Sequence, residues 1–215
     1  MIEPTAASSG SAALAVRDLH LWRGERHLLR GVSCDLRDGE LLQIVGANGI
    51  GKTSLLRCIA GLLPMETGEV LWNGLSIFKT RDDFNRSLAY LAHLNALKAD
   101  LTPIENLRAS VQLRHEVTQD QLESALARLH VLQCAALPVR SLSAGQKRRV
   151  ALARVVLLDA PLWILDEPIT NLDREGIAIV EQCIAEHLNR GGMVLTAAHQ
   201  LLLQGRSAAR TMELH

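Results

Sequence analysis

Aromatic residues are scarce in this sequence, making up 3% of its 215 residues. A protein that stacks the bases of single-stranded nucleic acid on aromatic rings would need more of them. Net charge is also absent, because 23 Lys and Arg residues balance 23 Asp and Glu residues. Such a chain has no general positive field to attract phosphate backbones, so we expect no nucleic-acid partner.

Apolar stretches are short. Residues 191–205 carry no formal charge, but this segment is too short to span a bilayer and contains Gln and His.

Cysteines are few and isolated, with no C-x-x-C pair, at Cys34, Cys58, Cys134 and Cys183. These spacings exclude a disulfide framework or a zinc ribbon and indicate reduced thiols in a cytosol.

Strand-like and helix-like segments alternate along most of the chain. Glu40–Val45 is an apolar run typical of a buried strand, and Lys52–Leu62 follows with helical spacing of its apolar residues. Leu162–Leu165 and Met193–Ala197 are further buried strands by the same criterion, with helical periodicity over Arg174–Leu188 between them. This alternation predicts an α/β fold with a mostly parallel core sheet.

Two other regions depart from the alternation. A strand at Glu69–Trp72 enters a tight Asn73-Gly74 turn, which predicts a small antiparallel β region. Residues 102–132 have helical periodicity throughout and indicate a helical subdomain, an insert at about 94–158. We expect residues 1–13, which are rich in Ala and Ser, to be a flexible tail and residues 14–215 to form a single domain.

One motif between a predicted strand and a predicted helix is specific for phosphate. It fits G-x-x-x-x-G-K-[ST] with Gly46, Ala47, Asn48, Gly49, Ile50, Gly51, Lys52 and Thr53, and Ser54 follows it. The glycines let backbone N–H groups converge at a helix N-terminus, which attracts phosphate anions. Lys52 is expected to reach the β- and γ-phosphates, and the Thr53 hydroxyl to bind Mg²⁺.

Two acids end the strand at Leu162–Leu165. Beside a phosphate loop, Asp166 can hold Mg²⁺, often through water, and Glu167 can polarise an attacking water as general base. Further along, Ser143 and Gly145 offer a hydroxyl and N–H groups to a phosphate at the start of a helix. We interpret the basic run of residues 147–149 as a solvated face of that helix.

Leu142-Ser143-Ala144-Gly145-Gln146 resembles the LSGGQ signature of ATP-binding-cassette (ABC) proteins, with Ala at the third position. Asn171-Leu172-Asp173 is similar to the D-loop of that family, and His199 to its switch histidine, which contacts the γ-phosphate. The resemblance implies a P-loop NTPase of the ABC type with ATP and Mg²⁺ bound. It also implies that Gln146 and Asp173 lie at the nucleotide.

Two positions depart from the family pattern. His93 stands where the family usually has a Gln that touches Mg²⁺ and the attacking water, and His cannot mimic both ends of an amide. The aromatic residue that stacks on adenine is also missing from its usual position. Arg23 occupies that position and Trp22 is its neighbour, and either could cover the base.

The run from His93 to Leu107 is similar to H-x-x-G-[LI]-K-x-x-L-T-x-x-E-N-L, with Ala96 in place of the glycine. That stretch is typical of the haem exporter ATP-binding subunit of bacterial cytochrome c maturation. That resemblance implies an ATPase for haem export or handling, peripheral at the cytoplasmic face of the inner membrane. A homodimer of ATPase subunits and integral membrane subunits would be the partners. No haem ligand stands out, so we expect no direct haem binding.

Three other functions stay open at this point. The first is the ATPase subunit of another small ABC transporter, against which only the His93 run argues. The second is a soluble ABC ATPase acting on nucleic acid or ribosomes, which usually has a coiled-coil insert or two cassettes. The third is a non-hydrolytic nucleotide sensor, opposed by the intact set of Lys52, Asp166, Glu167 and His199.

Overall fold

The structure is a computed structural model and describes residues 13–215. The predicted tail at residues 1–13 lies outside this range except for Ala13, whose carbonyl oxygen accepts a hydrogen bond of 2.7 Å from the Asn73 N–H. Within residues 13–215, no helix is long and apolar enough to cross a bilayer.

Residues 13–215 form nine strands and six α-helices, which we number in chain order. The strands are β1 (Leu14–Arg23), β2 (Arg26–Leu36), β3 (Leu41–Val45), β4 (Thr67–Trp72), β5 (Leu75–Ser76), β6 (Leu88–Leu91), β7 (Leu162–Asp166), β8 (Met193–Ala197) and β9 (Ala209–Glu213). The helices are α1 (Lys52–Ile59), α2 (Arg81–Ser87), α3 (Pro103–Val111), α4 (Gln119–Arg128), α5 (Ala144–Leu157) and α6 (Arg174–Asn189).

The central sheet is parallel throughout, with strand order β6-β7-β8-β3-β9. Both of its faces are buried, and alternate residues of each strand enter two different apolar cores. Trp163 and Leu165 pack with the helices of the insert and α6, whereas Leu162 and Ile164 pack with α1 and the antiparallel strands. The carboxyl ends of β3, β7 and β8 therefore meet at one edge of a rigid sheet.

The antiparallel sheet has strand order β2-β1-β4-β5 and covers the α1 side. The helical subdomain lies between β6 and β7 and contains α3, α4 and α5. Each of these helices begins with a capping box, in which a Ser or Thr and the Glu or Gln three residues later satisfy each other's N–H groups. A cap of this kind stabilises a helix by about 1 kcal/mol. The predicted α/β fold class, with a parallel core sheet, a small antiparallel β region and a helical subdomain, is confirmed.

Some details differ from the sequence-based expectations. Helix α1 ends at Ile59 because Gly61 adopts φ 68°, which leaves Leu62 54% exposed rather than on the apolar face. The helical periodicity over residues 102–132 is interrupted at residues 112–118, between α3 and α4. Strand β9 was not expected, since its mixed sequence ARTME at the sheet edge is half exposed and has no apolar run.

Candidate active site

The loop between β3 and α1 turns sharply at its glycines. Gly46 has φ 144° and Gly51 has φ 119°, conformations that residues with a Cβ rarely adopt. A Cβ atom on Gly46 would lie 2.7 Å from the carbonyl oxygen of Leu214, so only glycine fits there. The loop runs directly into the N-terminus of α1, where unpaired N–H groups and the helix dipole favour an anion.

Lys52 and Thr53 are the first two residues of α1 and have different partners. The Lys52 ammonium donates to the carbonyl oxygens of Gly46, at 2.7 Å, and Ala47, at 3.0 Å. The Thr53 hydroxyl donates to Oδ1 of Asp166 at 3.1 Å. The ammonium therefore lies across its own loop, where a bound phosphate would replace the two carbonyl groups as its partner.

Asp166 ends β7 and is 1% exposed. Burial raises the pKa of this carboxyl group, while the Thr53 hydrogen bond and the charges of His93, Arg148 and Lys52 act in the opposite direction. Its Oδ2 atom is buried and has no hydrogen-bond partner in the part of the chain that the structure describes. A buried carboxylate oxygen with a free lone pair beside a hydroxyl is suited to a divalent cation.

No group of three or more His, Cys, Asp or Glu side chains that could hold a metal ion occurs within residues 13–215. Mg²⁺ needs no such group, because it keeps several waters and is usually held by one or two carboxylates together with substrate phosphates. Asp166 and Thr53 fit such an ion, whose other ligands would be phosphate oxygens and water.

Glu167 follows Asp166 and has a strained backbone. Its φ is 52°, a left-handed conformation that costs a non-glycine residue on the order of 1–3 kcal/mol and is found most often at functional sites. Its N–H donates to the carbonyl oxygen of Ala197 at 2.7 Å, which ties it to the end of β8. Its Oε1 lies 3.4 Å from Nε2 of His199, so the base and the histidine of the prediction are neighbours.

These groups surround a cavity of about 510 Å³, which we call the Lys52 cavity. This volume is in the range of small-molecule sites. The lining residues are Arg23, Arg26, Leu28, Asn48, Gly49, Gly51, Lys52, Thr53, Ser54, His93, Glu167 and His199. Among the other predicted site residues, Gly46, Ala47 and Ile50 belong to the loop without lining the cavity. His93 reaches it from the segment that follows β6.

Arg23 and Trp22 lie on opposite faces of the antiparallel sheet. Arg23 pairs with Arg26 across the turn between β1 and β2, and both line the Lys52 cavity. Trp22 pairs with His27, and the two rings stack at 4.3 Å with an interplanar angle of 6°. Since neighbouring residues of a strand point to opposite faces, Trp22 is directed away from the cavity.

The remaining predicted residues lie elsewhere, in a second concave region that we call the Ser143 surface. It is lined by Ser143, Ala144, Gly145, Arg149, Asn171, Leu172 and Asp173. The Ser143 hydroxyl caps α5 and Gln146 Oε1 accepts the Ser143 N–H, while Asp173 caps α6 by accepting the Gly176 N–H at 2.8 Å. The Ser143 surface and the Lys52 cavity have no lining residue in common.

Sequence reasoning missed three residues. Arg26 and Leu28 line the Lys52 cavity, and the spacing R-G-E-R, typical of a hairpin turn, could have paired Arg26 with Arg23. The interpretation of residues 147–149 as a solvated face was wrong for Arg148, which is 2% exposed. Its position three, four and seven residues before the buried Ala151, Leu152 and Val155 was the available signal.

Comparisons with known proteins agree with this arrangement. Residues 29–170 match the ABC transporter family. The chain is 47% identical over 192 residues to the cytochrome c biogenesis ATP-binding export protein CcmA of Methylococcus capsulatus, covering 89% of this chain and 93% of that protein. It is 48% identical over 188 residues to the protein of the same name from Dechloromonas aromatica, covering 87% and 92%.

A solved structure of an ATP-binding subunit of an ABC transporter superposes with a TM-score of 0.83 at 26% identity, covering 94% of this chain and 86% of the other. The family resemblance inferred from the motifs is confirmed by these matches. The chain belongs to the cytochrome c biogenesis ATP-binding export proteins of the ABC transporter family.

Proposed function

We propose that this chain is the ATP-hydrolysing subunit of a membrane ABC complex for haem export or handling in c-type cytochrome biogenesis. The observation that carries the proposal is the convergence of Lys52, Thr53, Asp166, Glu167 and His199 at one edge of the parallel sheet. This set unites a phosphate cradle, a cation ligand and a general base, which are the parts that hydrolysis of a nucleoside triphosphate requires.

ATP binding is assigned to the phosphate loop and its helix. The N–H groups of the loop and of Ser54 receive the phosphates, and Lys52 exchanges its bonds to the Gly46 and Ala47 carbonyl groups for the β- and γ-phosphates. Thr53 and Asp166 hold Mg²⁺, which when bound neutralises charge on the phosphates. Arg23 and Arg26 offer their guanidinium planes to the base, which makes Arg23 the better candidate than Trp22.

Hydrolysis is assigned to Glu167. Its carboxylate accepts a proton from the attacking water, and the strained backbone fixes where the carboxylate points. His199, 3.4 Å from Glu167, donates to the γ-phosphate, and His93, which lines the same cavity, orients the water or a cation ligand. His93 can supply one hydrogen bond at a time, since a neutral imidazole has one donor and one acceptor.

The complete site requires a homodimer. Ser143, Gly145, Gln146 and Asp173 lie apart from the Lys52 cavity, so we propose that a second copy of the chain supplies them to the bound nucleotide. The start of α5 offers N–H groups and a helix dipole for that contact. Hydrolysis then depends on closure of the two copies, because each holds only part of the machinery.

Integral membrane subunits are the proposed partners, at the cytoplasmic face of the inner membrane. They would dock on the insert at about 94–158 and on the loop of His93, within a single domain of residues 14–215. The chain itself is expected to bind no haem. Spectroscopic titration of the isolated chain with haem would contradict this if it gave a tight one-to-one complex.

The test replaces the native copy by a Glu167→Gln variant in cells that make c-type cytochromes. Holo-cytochromes are measured by haem staining and apo-cytochromes by immunoblot. Loss of the holo forms, with the apo forms still made and secreted, is the expected result. Glu175→Gln is the matched control, because that exposed acid pairs with His130 and lines neither region. Normal holo-cytochromes with Glu167→Gln would contradict the proposal.

A further inference from the structure

Arg148 is a buried arginine whose guanidinium is paired mainly with backbone carbonyl groups. It lies on the second turn of α5, the helix that starts at the Ser143 surface. Burial lowers the pKa of its side chain to about 10, against the opposing effect of the Asp166 and Glu167 charges. An arginine stays protonated at that value, so a buried charge is retained beside the two acids of the active site.

The hydrogen bonds of Arg148 connect two segments that border the Lys52 cavity. On one side, Nη1 donates to the carbonyl oxygens of Ala92 at 2.8 Å and His93 at 3.4 Å, and to Oδ1 of Asn95 at 2.9 Å. On the other side, Nη2 donates to the carbonyl oxygens of Asp166 at 2.5 Å and Glu167 at 2.8 Å, and Nε to that of Pro168 at 3.3 Å.

The contact with Glu167 is made where the backbone is strained. The N–H of Glu167 is held by the carbonyl oxygen of Ala197, and its own carbonyl oxygen is held by Arg148. Peptide groups on both sides of the left-handed Cα are therefore fixed. A strained backbone conformation persists only where several surrounding contacts hold it in place. For Glu167, Arg148 supplies the contact to the carbonyl oxygen.

We propose that Arg148 is a positioning residue for ATP hydrolysis, which holds the backbones of Glu167 and His93 in the geometry that their side chains need. This rests on the proposed function. The planar fork of a guanidinium can bridge both segments at once, whereas the compact ammonium of a lysine cannot. Because Arg148 belongs to α5, it also links the helix that presents Ser143 to the acids of the same chain.

The proposal separates ATP hydrolysis from ATP binding. The phosphate loop receives none of the Arg148 hydrogen bonds described above, so affinity for ATP should survive its replacement. The rate should fall, since a shift of about 1 Å in a catalytic group can cost about 100-fold in rate. If Arg148 had a purely structural role, its replacement would lower the stability of the protein, and the molecules that remain folded would hydrolyse ATP at the parental rate.

Arg154 provides the matched control. It lies on the same helix, is half-buried, and its Nη2 donates to the carbonyl oxygen of Tyr90 in β6 at 3.4 Å. It thus makes the same kind of bond to the same strand region without reaching Glu167. Replacing it should destabilise the fold while leaving the turnover of the folded protein unchanged.

The experiment measures Arg148→Lys, Arg148→Gln and Arg154→Gln in the assembled complex, below the unfolding temperature of each variant. ATP affinity is measured by equilibrium binding, and turnover is divided by the number of ATP-binding sites, so that unfolded protein does not count as lost rate. We expect both Arg148 variants to change the Kd by less than about twofold, because Arg148 donates no hydrogen bond to the phosphate loop, and to lose up to about 100-fold in kcat.

A double-mutant cycle with Glu167→Gln tests whether Arg148 acts through Glu167. In that background, Arg148→Lys should lower the residual single-turnover rate by much less than it does in the parent, because only its effect on His93 is then left. Losses that multiply would overturn the proposal, as would an equal fall in kcat for Arg154→Gln. A wild-type complex that hydrolyses no ATP would overturn the proposed function itself. A normal wild-type rate together with unaffected Arg148 variants would overturn only the role proposed for Arg148.

Discussion

The lysine and the two acids of the active site differ in burial from the capping residues of the Ser143 surface. In the cavity region, Lys52 is 8% exposed and Glu167 is 9% exposed, and the carboxylate of Asp166 is buried behind them. At the Ser143 surface, Ser143 and Asp173 are exposed, and each caps a helix. Burial of Lys52, Asp166 and Glu167 thus opposes folding, because charged groups lose their water, while the capping groups of the Ser143 surface stabilise the fold.

This difference in burial indicates which residues serve ligand binding and catalysis without also stabilising the fold. A buried carboxylate with one oxygen unpartnered lowers stability, and its presence makes sense as a ligand that waits for a cation. A capping serine or aspartate has a structural use before any nucleotide arrives. Variants of the buried active-site groups should therefore impair ligand binding or hydrolysis without destabilising the fold, whereas variants at the Ser143 surface should destabilise the fold or impair closure.

The largest expected effect is that of Glu167→Gln on hydrolysis. Loss of a general base lowers the rate by about 10²–10⁴-fold, while an amide of the same shape leaves ATP binding intact. The measurements are phosphate release by the assembled complex and equilibrium binding of ATP. Glu175→Gln, with an exposed carboxylate in α6, should hydrolyse at the parental rate. Parental activity in Glu167→Gln would remove Glu167 from this role.

The second prediction contrasts one residue from each region. Lys52→Ala should weaken ATP binding by about 10- to 100-fold, the usual effect of losing hydrogen bonds from a charged group. Gly145→Ala should leave binding by the isolated chain unchanged and slow hydrolysis. An added Cβ would lie 2.8 Å from the carbonyl oxygen of Asn171, which forces the start of α5 to move.

Ala144→Gly is the control for Gly145→Ala, because residue 144 is exposed and its methyl group can be removed without a cavity. Binding is measured on the isolated chain by fluorescence of a labelled ATP, and hydrolysis on the complex. Equal loss of ATP binding in Lys52→Ala and Gly145→Ala would erase the distinction between the two regions.

The third prediction uses the stability of the fold. Burial raises the pKa of Asp166, so its ionised form is disfavoured in the native protein, and Asp166→Asn should stabilise the protein at neutral pH. This gain should vanish as the pH falls to the range where aspartate is protonated even in the unfolded chain. Asp173→Ala should do the opposite and destabilise by about 1 kcal/mol, through loss of the cap on α6.

Urea unfolding of the two variants and the parent at several pH values measures both effects. Asp166→Asn should gain stability while losing hydrolysis, which a structural acid would not do. Destabilisation of the Asp166→Asn variant at neutral pH would contradict the view that this carboxylate is held at a cost to the fold.

Much of this arrangement could be predicted from the sequence because its signals are local. The phosphate loop, the acids after an apolar strand and the capping residue Ser143 each lie within a few positions of the element they begin or end. Parallel strands then bring these ends together without further information. The buried strand at Met193–Ala197 was predicted with the bounds that the structure has.

The remainder depends on contacts between distant parts of the chain. The facing of Arg23 and Trp22 follows from the register of β1 against β2, which a single strand does not reveal. The burial of Arg148 follows from where its helix meets the ends of β6 and β7. Its hydrogen-bond partners after β6 precede it by 53 to 56 residues, and those at the end of β7 follow it by 18 to 20 residues. A charged run at a helix start usually indicates a solvated surface, and tertiary packing overrode that tendency here.

The smallest expected effect concerns the base at the mouth of the Lys52 cavity. Arg23→Ala should weaken ATP binding by about 2- to 5-fold, the amount expected from an exposed cation–π contact of about 0.5–1 kcal/mol. Trp22→Ala should leave binding unchanged, since its ring stacks on His27 on the other face. Inorganic triphosphate is the control ligand: if Arg23 acts on the base, Arg23→Ala binds triphosphate as tightly as the parent. Weaker ATP binding in Trp22→Ala alone would mean that the ring, rather than the guanidinium, covers adenine.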